Sequence, residues 1–211
     1  MTSHVDGIAD ANPEAGRLGF DRVVFFSDAV FAIAMTLLVV DLRLPELVSY
    51  ADADIAAALW GVRWDIFAYV LSFLVIGSFC RALAAIPSHQ RIDGRHATIN
   101  VLFLGAIAFI PFPTSVLGSA GDTPVPVAFY GVCVSIAAGL GLLETWDGWR
   151  RGLYAPTVTR ATVRTWLLAG CVVPCVMLGS LLLLPFVGAT LVELSWVTAA
   201  RSLAGSGHGG T

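Results

Sequence analysis

The sequence predicts an all-α membrane protein with six transmembrane helices per subunit. Composition is the first observation: of 211 residues, 57% are hydrophobic and only 13% charged, against about 25% charged in a soluble domain. The mean hydropathy is +0.81. Such a chain cannot cover its surface with polar groups, so lipid must solvate much of it. The second observation is a series of apolar runs, each near the length that crosses a bilayer, separated by polar connections. The third is the placement of charge. All twelve basic residues are arginines, and they alternate between rich and poor connections along the chain.

The first run extends from Val23 to Val40, interrupted only by Ser27, Asp28 and Thr36. At 1.5 Å per residue it makes about 27 Å of helix, close to the hydrocarbon thickness. Arg22 and Asp41 stand at its ends. Residues 1–16, with Asp6, Asp10 and Glu14, lack the basic opening of a secretory signal. They read as a disordered tail, and the first span is expected to be retained. The second span runs from Trp64 to about Ile86, with Arg81 able to reach the headgroups. The third runs from Ala97 to about Leu117 and carries Asn100 and Pro111-Phe112-Pro113. The fourth, Val125 to about Leu143, is rich in glycine and alanine, which allow close helix approach. Trp146 and Trp149 follow at an interface.

The region from Trp166 to Ala200 would exceed 50 Å as one helix, roughly twice the core thickness. Pro185 and Gly188 offer a turn, so a fifth span is expected to end at Leu184 and a sixth to run from Phe186 to Ala200. Residues 17–203 read as one membrane domain, and 204–211, with four glycines, as a flexible tail. Ten arginines fall at the two ends and in the second and fourth connections. The first connection holds only Arg43 and Arg63, and the third none. By the positive-inside rule both termini are cytoplasmic.

Several function classes are excluded. A net charge of −3 and no basic patch argue against nucleic acid. No nucleophile elbow, phosphate loop or zinc-protease motif occurs. Cys80, Cys133, Cys171 and Cys175 all lie in apolar runs and read as small buried hydrophobes. The histidines, His4, His89, His96 and His208, fall in tails or at loop ends. No catalytic group, cofactor or resident metal is therefore expected. The intramembrane polar set is sparse: Ser27, Asp28, Thr36, Asn100 and Glu193.

On the first helix Ile33, Leu37 and Val40 share a face, continued by Ala29 inward and Asp41 outward, with Thr36 beside it. Copies of this helix around an axis would give apolar rings that gate by excluding water and an acidic ring that concentrates cations. The same stripe suits ordinary packing, and Asp41 suits a solvated interface. Asp28 points elsewhere and needs a partner, with Asn100 and Ser27 as candidates. That network could hold the helix in one of two poses or be a static bond.

These residues carry a resemblance. Arg22-x-x-x-Phe26-Ser27-Asp28, then Phe31-Ala32-Ile33-Ala34 and Thr36-Leu37-Leu38-Val39-Val40-Asp41, resembles the first-helix signature of the transmembrane-protein-175 family. The animal member is the endosomal and lysosomal potassium channel. The likeness continues through Ser72 to Gly77, Asn100 to Leu104 and Ala108 to Thr114. It implies a potassium-preferring cation channel in the plasma membrane, built as a homotetramer with the first helices lining the pore. It further implies a constriction at Ile33, Leu37 and Val40, selectivity at Thr36, an outer mouth at Asp41, and a supporting network of Arg22, Ser27, Asp28 and Asn100. Bacterial members commonly carry a tryptophan and a histidine where this chain has Cys80 and Leu83, and many carry glycine where it has Ala29. A secondary transporter and a non-conducting structural or regulatory membrane protein are the alternatives.

Overall fold

A computed structural model describes residues 13–47, 49–84, 94–120, 123–187 and Trp196, with side chains from Arg22 onward and none over 180–187. Every regular element among the described residues is helical: α1 (Pro13–Leu37), α2 (Asp52–Gly61), α3 (Arg63–Ala84), α4 (Gly94–Phe109), α5 (Pro111–Ala120), α6 (Pro124–Arg150) and α7 (Arg160–Val187). Among those residues, four stretches are long and apolar enough to cross a bilayer: Arg63–Ala84, Gly94–Ala120, Pro124–Arg150 and Arg160–Gly179.

The elements depart from the expected spans in ways the chain chemistry explains. α1 starts at Pro13, inside the stretch read as a tail, and ends at Leu37 rather than Asp41. Past Leu37 the bonds are of the i to i+3 kind: Val40 N–H donates to Leu37 O at 3.1 Å and Leu42 N–H to Val39 O at 3.2 Å. Helix ends commonly tighten in this way, and β-branched Val39 and Val40 favour it. The first connection holds α2, too short to span, whose first turn places Asp52 and Asp54 at the positive end of the helix. Arg63 follows, stacked 5.3 Å from the Trp60 ring and 5.7 Å from the Trp64 ring, and fixes the corner into α3.

The third span is broken into α4 and α5 at Ile110. Pro111 has no N–H to continue the ladder, yet suits the first position of a new helix. α6 is longer than expected and carries Trp146 and Trp149 within its last turns. Its end is a Schellman cap: Leu153 N–H donates to Gly148 O at 3.0 Å and Gly152 N–H to Trp149 O at 3.1 Å. Gly152 has φ +64°, a left-handed conformation that glycine adopts without Cβ strain. α7 passes through both Pro174 and Pro185, so the turn expected at Pro185 is not there. Of the expected sixth span, Phe186 and Val187 instead end α7, and the rest lies outside the described residues apart from Trp196, whose ring stacks on Tyr130 of α6 at 5.7 Å.

One core joins these helices. α1 contributes Phe31 and Ala34, with Leu38 just past its end, α3 Leu71, Val75 and Ile76, α4 Phe103, Leu104 and Ile107, and α6 Tyr130 and Val134. Phe103 is central: Phe31 and Phe79 meet its ring edge-on at 6.1 and 6.0 Å. A buried hydroxyl group ties α3, α5 and α6 together. Ser72 Oγ lies 2.7 Å from Thr114 Oγ1 and 3.0 Å from the Tyr130 hydroxyl, and Thr114 donates back to Ile110 O. Polar groups sealed from water need such partners.

Candidate functional site

α1 presents two unlike faces. Ser27, Phe31, Ala34 and Leu38, spaced four, three and four apart, are all buried against the subunit. The opposite side is uncovered. Ile33 is 58% exposed and Leu37 44%, Ala29, Ala32 and Thr36 are exposed near them, and Asp28 is exposed on a different side of the helix. Val40 and Asp41 are exposed too, but they stand in the turns that follow the helix, so their directions are not set by an α-helical period. Thr36 Oγ1 donates to Ile33 O at 2.9 Å. The hydroxyl is thereby satisfied within its own turn, and its oxygen remains able to accept.

Asp41 borders a small hollow shared with Asp65 and Tyr69 of α3 and Thr114 of α5. Asp65, which opens α3, received no role from the sequence. It is brought there because α5 comes very close: a Cβ on Gly118 would lie 2.9 Å from Asp65 Cα.

The polar residues expected to work together do not all meet. Ser27 Oγ donates to Val23 O at 2.8 Å, one turn back on its own helix. Asn100 Nδ2 donates instead to Glu144 Oε1 of α6 at 2.9 Å. Asp28 and Arg22 are exposed on α1. The expected pairing of Asn100 with α1 is thus replaced by a link between α4 and α6. The reason is geometric: Asn100 lies on the face of α4 that packs on α6, where a carboxylate offers a stronger acceptor than a backbone oxygen.

Around that link lies a cluster that sequence reading missed. His96, expected at a loop end, stands in the first turn of α4 and is 4% exposed. It faces Glu144 and Asp147 of α6, both buried. Arg95 Nε lies 3.5 Å and Arg151 Nε 3.3 Å from Asp147 Oδ1. Tyr154, in the connection after α6, donates to Thr145 O at 3.0 Å. Burial, with Glu144 and then Asp147 nearby, holds its hydroxyl well above the ordinary tyrosine range. The signal was available as spacing: His96 and Asn100 are four apart, Glu144 and Asp147 three, so each pair shares a helix face. Cys80 and Leu83, at the positions where the family resemblance leads one to look for tryptophan and histidine, are partly buried against the core.

Residues 22–111 match the family described as endosomal/lysosomal potassium channel TMEM175. That stretch contains Ile33, Thr36, Leu37, Val40, Asp41 and Asn100. The chain is 35% identical over 139 residues to a potassium channel of Streptomyces collinus, covering 59% of this chain and 62% of that one. It is 34% identical over 112 residues to a potassium channel of Chamaesiphon minutus, covering 50% and 51%. The matches therefore span between about half and under two thirds of these curated relatives. The crystal structure of a lysosomal potassium-selective channel TMEM175 homolog from Chamaesiphon minutus superposes with a TM-score of 0.73 at 22% identity, over 88% of this chain and 96% of that one. At that identity the likeness shows a shared fold.

Proposed function

We propose, from the match of residues 22–111 to the TMEM175 family, that this chain is a potassium-preferring cation channel in which α1 of each subunit lines the ion passage. The observation that carries this reading is the uncovered face of α1. Arg22 and Thr36 are exposed on the same side of α1 as Ile33, and Asp28 is exposed on another side, all within or beside an apolar membrane-length run. A charge at the bilayer centre costs about 2.5–3.5 kcal/mol on insertion scales, and such groups face a protein interior or water. That surface therefore suits other copies of α1 and an aqueous passage, not lipid. A homotetramer supplies both.

In this reading cations gather at Asp41, aided by Asp65 at the same end of the bundle. They then pass Leu37 and Ile33, where apolar side chains strip or exclude water and set the barrier. Thr36, beside that barrier, offers an oxygen that can replace a water of hydration. No carbonyl-lined filter is needed for this. The arginine distribution favours a plasma membrane orientation with both termini cytoplasmic.

The test is potassium flux through proteoliposomes carrying wild type or Ile33→Asn. A polar side chain at an apolar constriction holds water, so the variant is expected to pass several times more potassium. If both proteins stay at the background of empty vesicles, the assignment of α1 fails.

A further inference from the structure

Two carboxylates on one helix converge on a buried imidazole from another. His96 Nε2 lies 3.9 Å from Glu144 Oε1, and His96 Nδ1 lies 3.8 Å from Asp147 Oδ2. All three residues are buried. Glu144 and Asp147 are three apart on α6, so they flank the ring at successive levels. Asp147 Oδ1 faces two arginines, whereas Asp147 Oδ2 has no hydrogen-bond partner among the described residues. A sealed carboxylate oxygen left in that state is costly. A neutral imidazole has one N–H and can serve one side only, while an imidazolium has two, pointing in different directions. The protonated ring alone matches two acceptors placed on either side of it.

We propose that His96, Glu144 and Asp147 form a proton-binding site that, when occupied, draws the start of α4 onto the end of α6. The present separations are longer than hydrogen bonds. Charge-assisted bonds between the same atoms would be shorter by about 1 Å.

The surrounding charges suit one exchangeable proton. Arg95 comes from the same helix, Glu144 and Asp147 from α6, and Arg151 and Tyr154 from the following connection. α1 packs on α4 further along, through Phe31 and Phe103, and its Arg22 and Asp28 are exposed. Arg95 and Arg151 balance the two carboxylates in formal charge. Among the described residues, the proton taken from solvent by His96 is then the variable charge of the group. Two turns along α4 from His96, Phe103 meets the ring of Phe31. A shift of α4 therefore reaches α1, a consequence that matters for gating if α1 lines the passage. The proton site itself does not depend on that reading.

The experiment uses the purified full chain in detergent, labelled with 15N-histidine and stripped of its other imidazoles by His4→Gln, His89→Gln and His208→Gln. The ring resonances of His96 are followed from about pH 8 to about pH 5, the range in which histidine ordinarily titrates. Both nitrogens are expected to become N–H donors across that range. In parallel, the melting temperature of wild type is expected to rise by about 2–4 °C on acidification, and that of His96→Gln to stay flat. A ring that remains neutral throughout, or a His96→Gln protein as pH-sensitive as wild type, overturns the proposal. No current is measured, so this outcome is separate from that of the channel test.

Discussion

Asn100 and Glu144 illustrate how single residues hold this bundle. The amide donates to a buried carboxylate at 2.9 Å across the α4–α6 seam. Asn100→Leu keeps the volume and removes the donor, leaving the acid short of a partner. The expected loss is about 1–3 kcal/mol, read as a lower melting temperature in detergent. Tyr154 gives a second residue-scale prediction with a defined pH sign. Its hydroxyl is held in the neutral form by burial beside Glu144 and Asp147. A raised pKa in an acid means stability that is complete below the unfolded value, about pH 10, and is lost as pH rises beyond it. Wild type is therefore expected to lose more stability above about pH 10 than Tyr154→Phe does, and below that pH the variant is expected to be weaker by about 1 kcal/mol. Thermal melts of both proteins across alkaline pH check this. His96, Glu144 and Asp147 were hard to find from sequence because they sit in the first turn of α4 and the last turns of α6. There the polar composition resembles that of a loop, and only the three- and four-residue spacings betray a shared face. Asp28 misled in the opposite sense. An acid in an apolar run invites a partner within the subunit, yet it is exposed.

At the scale of elements, the apolar runs marked α1, α3, the α4–α5 pair, α6 and α7 by length and hydropathy alone. The breaks were less legible. Pro111 interrupts a helix while Pro174 and Pro185 do not, because a proline is disruptive only where its lost bond and ring clash are not absorbed by the local packing. α2 carries no strong apolar period and gave no signal. The end of α1 at Leu37 could not be read either, since Leu38 to Val40 continue the apolar run and only backbone bonds show the tightened turn. Two predictions belong here. Gly118→Val would place side-chain carbon against the Asp65 backbone, within 3 Å at Cβ, and is expected to destabilise the α3–α5 contact by about 1–3 kcal/mol as overpacking. Gly152→Ala is expected to cost about 1 kcal/mol through the left-handed cap alone. Comparing the two melting temperatures separates steric crowding from backbone conformation.

At the scale of the whole molecule, the fold is that of the Chamaesiphon minutus channel homolog, and what it leaves uncovered is as informative as what it buries. The buried side of α1 meets α4 through the Phe31–Phe103 ring contact and shares one core with α3, so the helix has a fixed orientation within its subunit. Its other side, with Ile33 and Leu37, is available to further copies of the chain. If those copies close around an axis with Asp41 at one mouth, Asp41→Asn should lower potassium conductance more at low salt than at high salt, because ions screen exposed charge within about 10 Å at 0.1 M. Single-channel recording in planar bilayers at two ionic strengths measures that difference.

The most direct measurement uses a background in which the four native cysteines are replaced by alanine. Ile33→Cys and Phe31→Cys proteins are reconstituted separately and treated with a membrane-impermeant, positively charged thiol reagent while potassium current is recorded. Ile33 is exposed and Phe31 is 2% exposed. The account predicts that current through Ile33→Cys falls on treatment and that current through Phe31→Cys does not. Undiminished current through Ile33→Cys, with the reagent shown to be active, would contradict it.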